Sequence, residues 1–88
     1  MAEKQPITVR VAGRSYTLVS SDPPEHVLRV AEHVDRRLNE MEAATGLPSV
    51  QAMALTCFNL ADELLKAKDE CTELRRRMLE MQERQTEK

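Results

Sequence analysis

The sequence predicts an α+β fold: an N-terminal β-hairpin, an amphipathic helix, then a long C-terminal helix that forms an oligomeric coiled coil. Three patterns predict it. Ile7, Val9 and Val11 alternate with Thr8 and Arg10, the two-residue period of a half-buried strand. Val27, Val30, Ala31, Val34, Leu38 and Met41 recur every three or four residues, one apolar stripe on a helix. Val50, Met53, Cys57, Leu60, Leu64, Ala67, Cys71, Leu74, Met78 and Met81 alternate steps of three and four without a break, the a/d seam of a coiled coil.

The hairpin is expected over residues 7–19. Gly13-Arg14 suits a two-residue type II′ turn with Gly first. That turn sets Ala12 opposite Ser15, Val11 opposite Tyr16 and Val9 opposite Leu18, and brings the apolar side chains of both strands to one face. A lone hairpin is marginal in water, so it must pack on a helix or on a second hairpin. The first helix is expected over residues 23–45. Asp22 serves as its N-cap, Pro23 takes the first helical position and Glu25 completes a capping box. Gly46 is a natural C′ residue. Leu47-Pro48-Ser49 is a short connection, with Ser49 placed to cap the next helix.

The long helix runs from Val50 toward Gln85, on the order of 50 Å. Over residues 50–65 apolar residues also lie outside the seam, at Ala52, Ala54, Leu55, Phe58, Ala61 and Leu65. That segment needs cover on two sides: its own first helix and hairpin on one, a partner on the other. From Lys66 onward apolar residues keep largely to the seam. The expected organisation is therefore a head of residues 1–65 and a projecting coiled-coil tail of residues 66–88, with residues 82–88 fraying. A seam of this kind needs a second helix, so the chain is expected to associate with copies of itself through Met53, Cys57, Leu60, Leu64, Ala67, Cys71, Leu74, Met78 and Met81. Glu63 and Glu70 occupy g positions, and Lys68 and Arg75 occupy e positions. A parallel pair sets Glu63 near the partner's Lys68 and Glu70 near the partner's Arg75, both attractive. Antiparallel docking of two such pairs stays open.

Eighty-eight residues make one small domain with an extension, and only Tyr16 and Phe58 are aromatic. The core must be thin and aliphatic. A net charge of −2 argues against a nucleic-acid binder, which usually carries a basic face. No apolar run approaches the roughly 20 residues of a membrane span, and residues 1–6 have no apolar core of a secretory signal. A cytoplasmic protein is expected. Cys57 and Cys71 lie fourteen residues apart on one helix, roughly 21 Å, so they cannot pair within one chain. They read as small apolar seam residues. No phosphate loop, metal-ligand cluster or nucleophile motif is present, so neither an enzyme nor a cofactor is expected. His26 and His33 lie roughly 10 Å apart along the helix, too far for one metal, and read as solvated. Arg36-Arg37 and Arg75-Arg76-Arg77 are exposed basic clusters, each a solvated face or a contact for an acidic partner.

Three segments in fixed order resemble the ZapA family of bacterial cell-division proteins: Val-Ala-Gly-Arg-Ser-Tyr-Thr-Leu at 11–18, Ala-Glu-His-Val-Asp-Arg-Arg-Leu-Asn-Glu-Met at 31–41, and Ala-Leu-Thr-Cys-Phe-Asn-Leu-Ala-Asp-Glu-Leu-Leu-Lys at 54–66. The resemblance implies a cytoplasmic, non-enzymatic regulator at the mid-cell division site. It would bind the tubulin-like GTPase FtsZ and cross-link its protofilaments as a homodimer or as a tetramer of antiparallel-docked coils. It further implies that the head makes the FtsZ contact, for which Arg14, Arg36 and Arg37 are the matching candidates. Some relatives carry basic residues near the end of the first helix, where this chain has Glu42 and Gly46. Two other functions fit the residues less well. A ribbon-helix-helix DNA reader is opposed by the two-strand hairpin, the acidic charge and the length of the second helix. A coiled-coil adapter for another partner is the remaining alternative.

Overall fold

A computed structural model describes residues 3–86. Strand β1 (Gln5–Val11) and strand β2 (Arg14–Ser20) form an antiparallel hairpin, followed by helix α1 (Pro24–Thr45) and helix α2 (Ser49–Thr86). The chain divides into two compact units, Met1–Thr56 and Cys57–Lys88.

The hairpin turns one residue earlier than expected. Val11 pairs with Arg14, Val9 with Tyr16 and Ile7 with Leu18, so the loop is Ala12-Gly13 and the expected Gly13-Arg14 turn does not form. Both loop residues have positive φ, 56° at Ala12 and 74° at Gly13, as a type I′ turn demands. The hydrophobic pattern cannot tell the two registers apart. They differ by two residues in pairing, and a shift of two keeps every side chain on its own face. What the sequence hides is a long-range bond: the Ala12 amide donates to Asp35 Oδ1 at 2.9 Å. The left-handed conformation costs an L-residue roughly 1–2 kcal/mol, and a bond to a carboxylate offsets a cost of that size. Counted from this turn, Pro6 falls at a position that gives no N–H to the ladder, so β1 runs back through Pro6 to Gln5. The hydroxyls of the facing pair Thr8 and Thr17 meet at 3.3 Å.

Helix α1 also starts one residue later than expected. Pro23, not Asp22, is the N-cap, with ψ 139° and no side-chain cap bond. The cause is the Pro-Pro pair: a residue before proline is pushed out of the helical region. The Pro23 carbonyl instead receives the amides of His26 (3.0 Å) and Val27 (3.2 Å). The Asp22 amide is taken by Ser20 Oγ at 3.0 Å. The far end is as expected: Gly46 adopts φ 67° and its amide donates to the Glu42 carbonyl at 2.9 Å. Ser49 does not cap α2. It is the first residue of that helix, and its hydroxyl reaches back to Glu42 Oε2 at 3.0 Å.

Ile7 and Val9 of β1 pack with Val27 and Ala31 of α1, with Val11 at the edge of the cluster. Elsewhere in this unit Leu38, only 1% exposed, and Ala52 and Thr56 are buried. The core is thin and aliphatic, as the composition requires. On α2 cover from the chain itself is narrower than expected: of the apolar residues outside the seam Ala52 is buried, while Leu55, Phe58 and Leu65 remain exposed, Phe58 by 72%. Helix α2 stays helical through Thr86, further than the fraying expected from residue 82. Residues 87 and 88 lie outside the described residues.

Candidate functional site

The three candidate arginines stand on two elements of the first unit. Arg14 opens β2 directly after the turn and is exposed. Arg36 and Arg37 lie in the middle of α1, past Asp35. Arg36 is solvent-facing, and its Nη2 contacts His33 Nδ1 at 2.9 Å. Glu40 is shared: its carboxylate lies 4.0 Å from Arg36 Nε and 3.9 Å from Arg37 Nε. Arg37 is the less exposed of the pair, with 22% of its side chain accessible against 62% for Arg36. The Asp35 bond to Ala12 places the hairpin tip against the stretch of α1 that carries both arginines.

Helical spacing adds residues to this face. His26, Arg29, His33 and Arg36 follow one another at three and four residues and line a shallow depression of about 650 Å³ along α1, with Val30 and Glu32. Arg29 completes that row and escaped the sequence reading, although its spacing from His26 and Arg36 was there to be read. Asp35 escaped it as well, since nothing local marks a bond to a residue 23 positions away. Glu42 and Gly46 both close α1: Gly46 in the left-handed conformation, Glu42 through its carbonyl and through Ser49.

An apolar groove of about 570 Å³ runs beside the contact between the sheet and α1. It is lined in part by Val11, Leu18, Val27, Val30 and Val34, and Leu18 and Val30 are roughly half exposed. The seam of α2 is likewise uncovered. Met53, Cys57, Leu64, Ala67, Cys71, Leu74, Met78 and Met81 are exposed, and Leu60 is half-buried. Cys57 and Cys71 are free thiols.

Charge pairs along α2 are local. Lys66 Nζ meets Asp62 Oδ2 at 2.9 Å, and this hydrogen bond raises the lysine's pKa above its ordinary value. Glu73 accepts from Arg76 Nη2 at 2.6 Å and from Arg77 Nε at 3.2 Å, and Arg76 also pairs with Glu80. The Arg76 hydrogen bond holds the Glu73 carboxyl below its ordinary range; desolvation, the next effect in size, opposes it, and the Arg76 charge and the Arg77 hydrogen bond add to the lowering. Among the described residues no group of three or more His, Cys, Asp or Glu is placed to hold a metal, and no helix is long and apolar enough to cross a membrane.

Comparison with known proteins agrees with this architecture. The family model described as "Cell division protein ZapA" matches residues 7–87. A cell division protein ZapA of Shouchella clausii is 39% identical over 66 residues, covering 74% of this chain and 85% of the relative. One of Geobacillus kaustophilus is 36% identical over 76 residues, covering 85% and 84%. A solved structure described as a ZapA mutant dimer from Geobacillus stearothermophilus superposes with a TM-score of 0.72 at 33% identity, over 85% of this chain and 88% of that one.

Proposed function

The chain belongs to the ZapA family of cell-division proteins, structural and regulatory proteins rather than enzymes, and on that premise we propose that it binds FtsZ and bundles its protofilaments at the division site. The arginine-bearing unit, a head of residues 1–65 once a second copy is in place, makes the filament contact through Arg14, Arg36 and Arg37. The remainder, residues 66–88, serves as a coiled-coil tail. Two copies joined along the seam carry two such surfaces, and a bundling protein needs at least two. Multivalency then turns individually weak contacts into a durable cross-link.

The observation that carries this reading is the uncovered seam. Residues 53–81 repeat an apolar heptad over four turns of the pattern, yet the chain itself buries none of these positions. An apolar stripe of that length on a monomer marks an association surface. The solved relative is a dimer, and a parallel pair of this chain satisfies the e and g charges. Antiparallel docking of two pairs would give a tetramer with arginine surfaces at both ends. The expected site of action is the cytoplasm at mid-cell.

Co-sedimentation with polymerised FtsZ tests the proposal, alongside light scattering for bundles. The chain is expected to pellet with the polymer and to raise the scattering. A folded sample that does neither overturns it. Recovery of a different protein, without FtsZ, in a pull-down would instead point to a coiled-coil adapter.

A further inference from the structure

The hairpin has two turns open to it, and hydrophobic burial does not choose between them. Ala12-Gly13 requires a left-handed alanine, whereas Gly13-Arg14 asks for positive φ only at glycine. Ile7, Val9 and Val11 face the same way in both. Judged by the turn residues alone the second turn is the easier, yet the first is adopted, with Ala12 at φ 56°, the one described non-glycine residue at positive φ. The ladder of a type I′ turn makes no use of the amide at its first loop residue. That amide is the one Asp35 Oδ1 accepts at 2.9 Å from a partly buried position on α1. Asp35 Oδ2 is itself reached by Asn39 Nδ2 at 3.5 Å, one helical turn further on.

We propose that Asp35 is the positioning residue that selects the hairpin register and so presents Arg14 beside Arg36 and Arg37. The choice changes where Arg14 stands. With the turn at Ala12-Gly13, Arg14 is the first paired residue of β2, opposite Val11. With the turn at Gly13-Arg14 it becomes a loop residue, and every partner on β2 moves by two. The bond also fixes distance: Ala12 precedes Arg14 by two residues and Asp35 directly precedes Arg36, so one carboxylate ties both cationic segments together. Asp35 itself touches no partner in this scheme. Its consequence for filament binding rests on the reading given under Proposed function, whereas its control of register does not.

The test pairs a register measurement with a binding measurement on the full chain. Cross-strand nuclear Overhauser contacts distinguish Val9 opposite Tyr16 from Val11 opposite Tyr16. In D35A the Val11–Tyr16 contact is expected to appear at the expense of Val9–Tyr16, with a several-fold loss of co-sedimentation with FtsZ polymer. D35N keeps an acceptor oxygen and is expected to keep the original register. In the double variant A12G/D35A glycine adopts the left-handed turn unaided, so register and binding are both expected to return. Retention of the Val9–Tyr16 pairing in D35A overturns the proposal, as does failure of A12G to rescue. Should D35A not fold, D35N and A12G/D35A still decide the matter: a shifted register in either refutes the role. If D35A shifts register but binds polymer as the unaltered chain does, the presentation of Arg14 is refuted and only register control survives. If the unaltered chain does not bind polymer, the filament reading fails while the register contacts still judge Asp35.

Discussion

Replacing Leu74 by Glu tests the seam more sharply than any other single change. Leu74 sits at a d position and is 56% exposed on the isolated chain. Full burial of a leucine contributes about 1.5–3 kcal/mol, so roughly 1 kcal/mol per chain is still available to association. A symmetric pair contains the residue twice, which makes the apolar loss about 2 kcal/mol and the association roughly thirty-fold weaker. Two carboxylates facing each other in a desolvated layer weaken it further. Leu79 provides the control. It is 61% exposed, as apolar and as accessible, but at a b position it points away from the seam. Sedimentation equilibrium over a wide concentration series is expected to show a large fall in average mass for L74E and little for L79E. Equal losses from the two variants, or none from L74E, would refute the heptad reasoning and leave only general stickiness.

Further outcomes follow from the first unit and from the charge pairs. R36E/R37E is expected to leave far-ultraviolet circular dichroism unchanged, because both side chains reach solvent, and to reduce co-sedimentation with FtsZ polymer; full retention would mean that the two arginines are only solvated surface. G46A places alanine at φ 67°, where an added Cβ meets nothing within 4 Å, so its cost is purely conformational, about 1 kcal/mol, read as a lower urea midpoint with unchanged slope. Glu73 is expected to titrate below its ordinary value of 4.5 in carbon-detected NMR. Because the folded carboxyl is the stronger acid, its pairs with Arg76 and Arg77 stabilise the helix above the ordinary carboxyl range and are lost as pH falls through the lowered value. R76Q is expected to return the titration toward 4.5, and an unmoved midpoint would show that Arg76 is not the cause.

What the sequence reveals about this fold is what short-range periodicity controls. The strand alternation of residues 7–11, the stripe of α1 and the heptads of α2 each repeat within a few residues, and each element forms where its period says. Gly46 ends α1 because a left-handed C′ residue is a local requirement. The misses arise where a choice is made by something distant or by two local rules in conflict. Asp22 has the right side chain for an N-cap, but the Pro23-Pro24 step denies Pro23 a helical conformation and moves the start on by one. The hairpin register is decided by Asp35, far along the chain, and alternation alone is blind to a shift of two. Among the candidate site residues, the placement of Arg36 and Arg37 on the first helix was legible, whereas Arg14, expected in the turn, opens β2 instead. The bond from Ala12 to Asp35 that ties their segments together was not, and neither was how little of α2 the chain itself covers, with Leu55, Phe58 and Leu65 left exposed.

The second unit carries this dependence to its limit. From Cys57 onward no residue with a described side chain is buried. A helix without tertiary burial rests on propensity and on pairs such as Lys66 with Asp62 and Arg76 with Glu73, which are solvent-exposed and screened by salt. Isolated helices draw little stability from such sources, and in proteins the packed apolar face supplies most of it. The helicity of residues 57–86 is therefore expected to rise with protein concentration, because a second chain is what packs that face. Circular dichroism at 222 nm across a dilution series, compared with the mass from sedimentation, decides this. The two curves are expected to fall together on dilution, and L74E is expected to lose helicity at a concentration where the unaltered chain retains it. Full helicity persisting in a sample whose mass is that of one chain would mean that the helix stands by itself, and the inference from an uncovered seam to obligatory association would fail with it.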